Sequence, residues 1–221
     1  FIYDQKWGWK YRPFIWRNQT LAEAIAFDPS PASFSRIWFA PNHVRAWRKS
    51  FYEKIGGHNP ARDVLDDQEL LCKTYIEGNV KHVNECLYIY HNHQDNTCKS
   101  VDRNKFIQTE TMNIYDRYIY PLVEKWCDLN GLRKIDLCGA HSKPEGYESA
   151  DLHRADINCN LDEKWPFEDG SVGLFRAHDA LEHLKNPIHV MKEAYRCLAP
   201  QGWFLTMTPS TDGRGAFQDP T

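Results

Sequence analysis

The chain has 221 residues, which is enough for one large domain or two modest ones. Its net charge of −3 gives no reason to expect non-specific binding to nucleic acid. No stretch approaches the ~18 consecutive apolar residues of a transmembrane helix. Seven scattered cysteines without a CxxC pair indicate reduced thiols, and therefore a cytoplasmic protein. Because the chain lacks an initiator methionine and stops directly after a predicted strand, we interpret it as an internal piece of a longer protein.

The first part of the chain gives few regular patterns. Residues 1–35 are rich in tryptophan and proline and predict a long loop with little secondary structure. Residues 36–40 predict a short strand, and Asn42 is placed to cap a helix that extends through Lys54. Gly56 and Gly57 follow, and glycine tolerates the left-handed backbone that ends a helix.

Acidic residues open the next predicted helix. Asp66, Asp67 and Glu69 lie at its start, where the helix dipole favours negative charge, and Gly78 closes it. Residues 80–83 and 87–90 predict two short strands, and a polar cluster follows the second strand.

This order of elements resembles the second half of a family 2 glycosyltransferase of the GT-A fold. The resemblance covers roughly residues 1–100. It depends on Phe39-Ala40-Pro41-Asn42-His43, Arg45, Arg48, Gly56-Gly57, Asp66-Asp67-x-Glu69-Leu70, Gly78 and Tyr90-x-x-His93-x-x-Asn96-Thr97.

The resemblance implies that Asp67 is the base that removes a proton from a glycan acceptor as it attacks a nucleotide-sugar. Asp66 and Glu69 are the alternatives, and all three carboxylates are also explained as ordinary charges at a helix start. His93, with His91 as a rival, matches the histidine near a divalent metal (Mg or Mn) that neutralises the departing diphosphate. The nucleotide-binding half of such an enzyme and its Asp-x-Asp motif are not visible in the sequence.

A helical linker is predicted between the two halves of the chain, over residues 101–131. The helix begins near Asp102, is interrupted at Pro121 and stops at Gly131. The residue pattern changes completely after it, which predicts a second domain over residues 132–221.

Short apolar runs over residues 135–140, 147–150 and 172–177 predict buried parallel strands. Asn186 as N-cap and Pro187 at the first helical position then predict a helix, and residues 203–207 predict another strand. Strand, crossover helix and strand form the βαβ unit of a doubly wound sheet. The predicted buried face of the helix carries Ile188, Met191, Tyr195 and Leu198.

The second half resembles class I methyltransferases that use S-adenosylmethionine. The matching blocks are IDLCGA, YESADL, ADIN, WPFEDGSV, HDALEHL and TMTPS. Two departures stand out, since the first turn holds a single glycine and the gap from Gly139 to Tyr147 is too short for the usual first helix.

That resemblance implies a set of cofactor-binding residues. Asp136 and Gly139 occupy the turn beside the methionine moiety, and Asp151 binds the ribose hydroxyls. Asp156 and Ile157 contact the adenine. In addition, His178 and Asp179 line the mouth where the methyl group is delivered.

We therefore predict an α/β chain made of the acceptor half of a GT-A glycosyltransferase domain (1–100), the helical linker, and an incomplete Rossmann-like methyltransferase sheet (132–221). The predicted activity is a methyl transfer coupled to a glycosyl transfer in surface polysaccharide synthesis. The alternative is a non-catalytic module that binds glycan through decayed active sites.

Overall fold

The computed structural model describes residues 2–3, 10–35, 43–91, 93, 101–140 and 142–209. The chain divides into two compact units, Phe1–Leu122 and Val123–Thr221, each of which is described by itself. Within the described residues, no helix is both long enough and apolar enough to cross a membrane. The six cysteines in this part of the chain are free thiols, as predicted.

The first unit begins with a three-stranded antiparallel sheet, β1 (Ile2–Tyr3), β2 (Lys10–Trp16) and β3 (Gln19–Ala24). The prediction of an irregular segment over residues 1–35 was therefore wrong. Arg17 and Asn18 connect β2 to β3 with φ angles of 46° and 58°. Two consecutive residues with positive φ form the tight turn whose twist matches a hairpin, and asparagine adopts that backbone readily.

Three helices follow in the first unit: α1 (Pro31–Phe34), α2 (Lys49–Lys54) and α3 (Asp66–Glu77). The predicted helix from Asn42 to Lys54 is shorter than expected, because the described residues before Lys49 have no helical structure. Asn42 itself, the predicted strand at 36–40, and Asn96 and Thr97 lie outside the described residues.

The two strands predicted over residues 80–83 and 87–90 do not form, and these residues have no regular secondary structure. Their apolar side chains, such as Val83 and Leu87, are exposed. A strand needs a hydrogen-bonding neighbour as well as suitable side chains, so the local pattern alone was not sufficient.

Helix α4 (Val101–Asn130) continues through Pro121, where the sequence predicted an interruption. Proline removes one hydrogen bond of the helix. The helix nevertheless buries Leu122, Val123 and Trp126 directly after it, and this burial favours continuation. The boundary between the two compact units lies within α4, and the predicted domain limits at residues 100 and 131 remain predictions.

The second unit contains a parallel five-stranded sheet. Its strands are β4 (Arg133–Leu137), β5 (Glu148–Asp151), β6 (Ile157–Asn158), β7 (Val172–His178) and β8 (Leu198–Met207). Their spatial order is β6-β5-β4-β7-β8. Helix α5 (Pro187–Cys197) connects β7 to β8, so the predicted βαβ unit is confirmed.

Strand β8 starts at Leu198, earlier than the predicted start at Trp203. Its register against β7 shifts between the pairs Val172–Leu198 and Leu174–Trp203. The residues between these pairs include Gln201, with a φ of 69°, and Gly202. Extra residues on one strand form a bulge, which explains why proline and glycine are tolerated there.

The apolar core of the second unit surrounds Trp165 and Phe175, whose ring centroids lie 5.1 Å apart. The buried strand residues Ile135, Leu137 and Ala177 pack with them. Such parallel strands are buried on both faces, which explains their nearly continuous apolar sequences.

The face of α5 that packs on the sheet differs from the predicted one. Val190, Ala194 and Cys197 are buried. The larger Ile188 and Tyr195 are 69% and 87% exposed, respectively. Smaller side chains let the helix lie closer to the sheet, so volume outweighed apolar content here.

Candidate cofactor-binding site

The strand order of the sheet reverses between β4 and β7, and we call the carboxyl end of this strand pair the crevice. The chain moves outward from β4 through β5 to β6, then crosses to β7 and β8 on the other side. In open parallel sheets, ligands bind at the carboxyl ends of the strands, at the point where the strand order reverses. The residues that directly follow β4 and β7 therefore border the candidate site.

The tip of β4 contains a buried carboxylate against a glycine. Asp136 is the penultimate residue of the strand, and its side chain is 2% exposed. A Cβ atom added at Gly139 would lie 2.0 Å from Asp136 Oδ2, so a larger residue at position 139 would displace this carboxylate. Cys138 between them has a φ of 59° and donates its backbone N–H to Ala150 O at 2.9 Å. These contacts keep the turn close to the carboxylate.

Strand β7 supplies a cation to the same carboxylate. Arg176 Nη1 donates to Asp136 Oδ1 at 2.7 Å, since the two residues are paired across β4 and β7. Arg176 is the only charged residue in the apolar run 172–177, and no functional role was predicted for it from the sequence. A charge on a strand buried on both faces requires a partner, and that requirement was the available signal.

Arg176 also determines the tautomer of His178 and favours its neutral form. Arg176 Nη2 lies 2.7 Å from His178 Nδ1, and arginine only donates, so Nδ1 accepts and Nε2 carries the hydrogen. Burial, followed by the charge of Arg176, lowers the pKa of His178. The predicted catalytic residue His178 is therefore a neutral hydrogen-bond donor through Nε2.

Two carboxylate oxygens in this region are buried without a partner. Among the described residues, Asp136 Oδ2 and Glu182 Oε2 are the buried side-chain atoms that have no hydrogen bond. A buried polar atom is normally satisfied, so an unpartnered one at a crevice indicates a missing ligand group. Both oxygens are acceptors, which favours a donor or a cation.

Asp151 is the last residue of β5, next to β4 at the same edge of the sheet. Its Oδ1 accepts from the backbone N–H of Leu152 at 2.7 Å, which orients the carboxylate. The Asp151 charge contributes to the raised pKa values of the Cys138 and Cys159 thiols, after burial as the largest cause. Strand pairing places Asp151 opposite Asn158 of β6, and its backbone O accepts from Cys159 N at 2.8 Å, so Asp151 lies at the carboxyl end of the sheet.

Asp156, the residue predicted to contact the adenine, is held by neighbouring side chains and backbone. Its Oδ2 accepts from Ser149 N at 2.7 Å and from Ser149 Oγ at 3.0 Å, and it contacts Lys143 Nζ. These contacts, with Lys143 first, lower its pKa to about 2. Asp156 precedes β6 and therefore lies towards the amino end of that strand, whereas Asn158 is paired with Asp151 at the carboxyl end. Ile157 is half-buried against the apolar core.

Asp179 follows β7 directly, with a φ of 47°, and its side chain is exposed. Its backbone N–H donates to Met207 O at 2.8 Å, so the turn is held at the edge of β8. A short 3₁₀ turn (Leu181–His183) follows, and it contains Glu182. No functional role was predicted for Glu182 from the sequence.

The acidic start of α3 in the first unit is formed as predicted, by Asp66, Asp67 and Glu69. Asp67 Oδ2 accepts from Arg45 Nη1 at 2.6 Å, and its side chain is 39% exposed. Glu69 is buried and accepts from Arg62 Nε at 2.7 Å. The two carboxylates therefore differ, because Glu69 is enclosed and Asp67 is accessible.

The predicted metal site is not seen in the described part of the chain. No group of three or more His, Cys, Asp or Glu side chains in that part is arranged to hold a metal ion. Both His91 and His93 are exposed.

A comparison with protein families gives one finding for the second unit. Residues 132–206 match the sequence model of the family described as "Methyltransferase domain", and the first 131 residues lie outside this match. No curated protein and no solved structure matches the chain. The matched range contains β4 to β8 almost completely, together with the crevice and its carboxylates. The family match and the parallel sheet together support a methyltransferase domain of the class I, S-adenosylmethionine-dependent type in residues 132–206.

Proposed function

We propose that this chain transfers a methyl group from S-adenosylmethionine, bound at the carboxyl ends of β4, β5 and β7, to a glycan acceptor. The observation that carries the proposal is the unpartnered Asp136 Oδ2, buried beside Gly139 at the point where the strand order reverses. The methionine part of the cofactor ends in an ammonium group, which is a cationic donor of the kind this oxygen lacks. The chemistry of the crevice therefore fits the cofactor.

Each residue at the crevice has a definite role in this proposal. Asp136 binds the ammonium group, and Arg176 holds the Asp136 carboxylate in place from the opposite side. Asp151 accepts hydrogen bonds from the ribose hydroxyls with the oxygen that Leu152 does not occupy. Neutral His178 donates from Nε2 and orients a polar group of the acceptor.

The bound cofactor supplies an electrophilic methyl group on a sulfonium ion. The protein contributes mainly position, since a fixed approach of two reactants removes much of the entropic cost of a bimolecular step. Asp179 is accessible beside His178 and remains a candidate to take the proton that the acceptor loses. The glycan as acceptor comes from the resemblance of residues 1–100 to glycosyltransferases.

Calorimetric titration of the full 221-residue chain with S-adenosylmethionine tests the proposal. We expect binding, and we expect Asp151→Ala to weaken it by about 2–3 kcal/mol, because the ribose hydroxyls lose a charged acceptor. Asp116→Ala is the matched control, since Asp116 is an exposed aspartate of α4 in the first unit. A folded chain that does not bind the cofactor would refute the proposal.

We propose, as a second function, glycosyl transfer by residues 1–100 with Asp67 as the base. The specific observation is that Asp67 is accessible and held by Arg45, whereas Glu69 is enclosed. A nucleotide-sugar donor, a divalent metal (Mg or Mn) near His93 and a cytoplasmic location belong to this proposal.

In a protein that also contains the nucleotide-binding half, Asp67→Asn should lower the rate of glycosyl transfer by about 10²–10⁴. Normal turnover by that variant would exclude Asp67, and glycan binding without turnover would favour the binding module.

A further inference from the structure

Glu182 has a buried oxygen that the proposed function does not yet use. It lies in the 3₁₀ turn after β7, between Leu181 and His183. The preceding Ala180 is fully buried in the apolar core, and Leu181 packs against that core. Glu182 Oε2 is buried and has no hydrogen-bond partner among the described residues. Burying a carboxylate oxygen without a partner is costly, so the turn holds it in an unfavourable state.

The position of Glu182 is at the crevice between β4 and β7. These strands are parallel neighbours, so the turns that follow them lie side by side. The Glu182 charge contributes to the raised pKa of the Cys138 thiol, with burial as the largest cause. Glu182 lies in the turn after β7, and Cys138 lies directly after β4, so the two residues are at the same edge of the sheet.

The two unpartnered oxygens have different surroundings. Asp136 already has a cation, because Arg176 Nη1 binds its other oxygen at 2.7 Å. Glu182 Oε2, in contrast, has no hydrogen-bond partner among the described residues. The buried oxygen of Glu182 is therefore left without a compensating group by the described side chains.

We propose that the Glu182 carboxylate pairs with the sulfonium charge of S-adenosylmethionine and makes the site distinguish this cofactor from its product, S-adenosylhomocysteine. The inference rests on the proposed function and deepens it. The cofactor has two cationic centres, an ammonium and a sulfonium group, and the described residues have two buried carboxylate oxygens without a hydrogen-bond partner. The product keeps the ammonium group and loses the sulfonium charge, so only the partner of the sulfonium group distinguishes them.

Paired titrations test this assignment without a known acceptor. The full chain, Glu182→Gln and the control Glu168→Gln are each titrated with S-adenosylmethionine and S-adenosylhomocysteine. Glu168 is an exposed residue before β7. We expect Glu182→Gln to weaken S-adenosylmethionine binding by roughly ten- to hundredfold and to leave S-adenosylhomocysteine binding nearly unchanged. Sinefungin, whose amine replaces the sulfonium methyl group and keeps the charge, should follow S-adenosylmethionine.

Three results would overturn the assignment. An equal loss for both ligands would place Glu182 against a group that they share, and no loss for either would remove it from the site. A wild-type chain that binds none of the ligands would refute the proposed function itself, which is a distinct outcome.

Thermal unfolding without ligand checks the fold of each variant. Glu182→Gln should be at least as stable as the wild type because it removes an uncompensated charge. If Glu182→Gln does not fold, Glu182→Met removes the charge at similar volume and must give the same change in ligand preference.

Discussion

Arg176 Nη1 donates to Asp136 Oδ1 at 2.7 Å, and these two residues on neighbouring strands lie 40 positions apart in the sequence. The Asp136 side chain is almost fully buried, so the pair is a nearly enclosed ion pair. Removing one partner of such a pair leaves an uncompensated charge in the interior. Both the stability of the sheet and the shape of the candidate site therefore depend on Arg176.

We expect Arg176→Met to lower the free energy of unfolding by about 3–5 kcal/mol, because Asp136 is left buried and unpaired. Chemical denaturation measures this loss. The double variant Arg176→Met with Asp136→Asn should recover much of it, since both charges are then absent. A single variant as stable as the wild type would show that the pair does not matter to the fold.

The stability of the fold should depend on the protonation of His178. Its pKa in the folded protein is lowered by burial and by Arg176, so the unfolded chain binds a proton more readily. The contribution of neutral His178 to the free energy of unfolding is complete above the ordinary histidine pKa of about 6.5. It is lost as the pH falls from there through the lower pKa that His178 has in the folded protein.

We expect the wild type to lose more unfolding free energy than His178→Gln between pH 7.5 and pH 5, by at most about 1.4 kcal/mol per pH unit. Denaturant titrations at several pH values give the difference between the two proteins, in which other titrating groups cancel. Parallel pH profiles of the two proteins would contradict the assigned neutral state.

Substitution of Gly139 should affect the candidate site directly. In Gly139→Ala, the added Cβ atom would lie 2.0 Å from Asp136 Oδ2 and force the carboxylate to move. We expect a loss of about 1–3 kcal/mol in unfolding free energy, as for other overpacked sites, together with loss of S-adenosylmethionine binding. Calorimetry and denaturation measure the two effects.

Gly131→Ala is the matched control for this variant. Gly131 has a φ of 62°, so alanine is strained there, but its Cβ atom would meet nothing within 4 Å. This control should lose stability and keep cofactor binding. If both variants bind equally well, the contact between Gly139 and Asp136 has no role in the site.

Glu193 on α5 should stabilise the second unit above pH 4.5. Its Oε2 accepts from Arg196 Nη2 at 2.6 Å and from the backbone N–H of Trp165 at 2.8 Å. Arg196 is the main cause that lowers the pKa of Glu193 to about 2. A carboxyl group with a lowered folded pKa contributes stability above its unfolded pKa and loses it as the pH falls towards the folded value.

We therefore expect Glu193→Gln to cost about 2–3 kcal/mol at pH 7, since a charged hydrogen bond is lost. The difference from the wild type should shrink as the pH falls from 4.5 towards 2. Urea denaturation at pH 7 and at pH 3 measures it. A difference that stays constant with pH would show that the effect comes from shape and not from charge.

Local chemistry determined much of the second unit. Asn186 and Pro187 predicted the start of α5, and the Asn186 side chain does accept from the backbone N–H of His189 at 3.1 Å. The apolar run before His178 predicted β7 almost to the residue. Helix caps and buried apolar strands depend on residues that are close in the sequence, so they can be predicted from the sequence alone.

Only the tertiary structure decided which side chains meet. The pairing of Arg176 with Asp136 depends on the register between β4 and β7, and the binding of Asp156 by Ser149 depends on the register between β5 and β6. The buried face of α5 depends on the space above the sheet, which admits Ala194 and leaves Tyr195 exposed. Strand register and packing volume are properties of segments far apart in the chain, so no local pattern contains them.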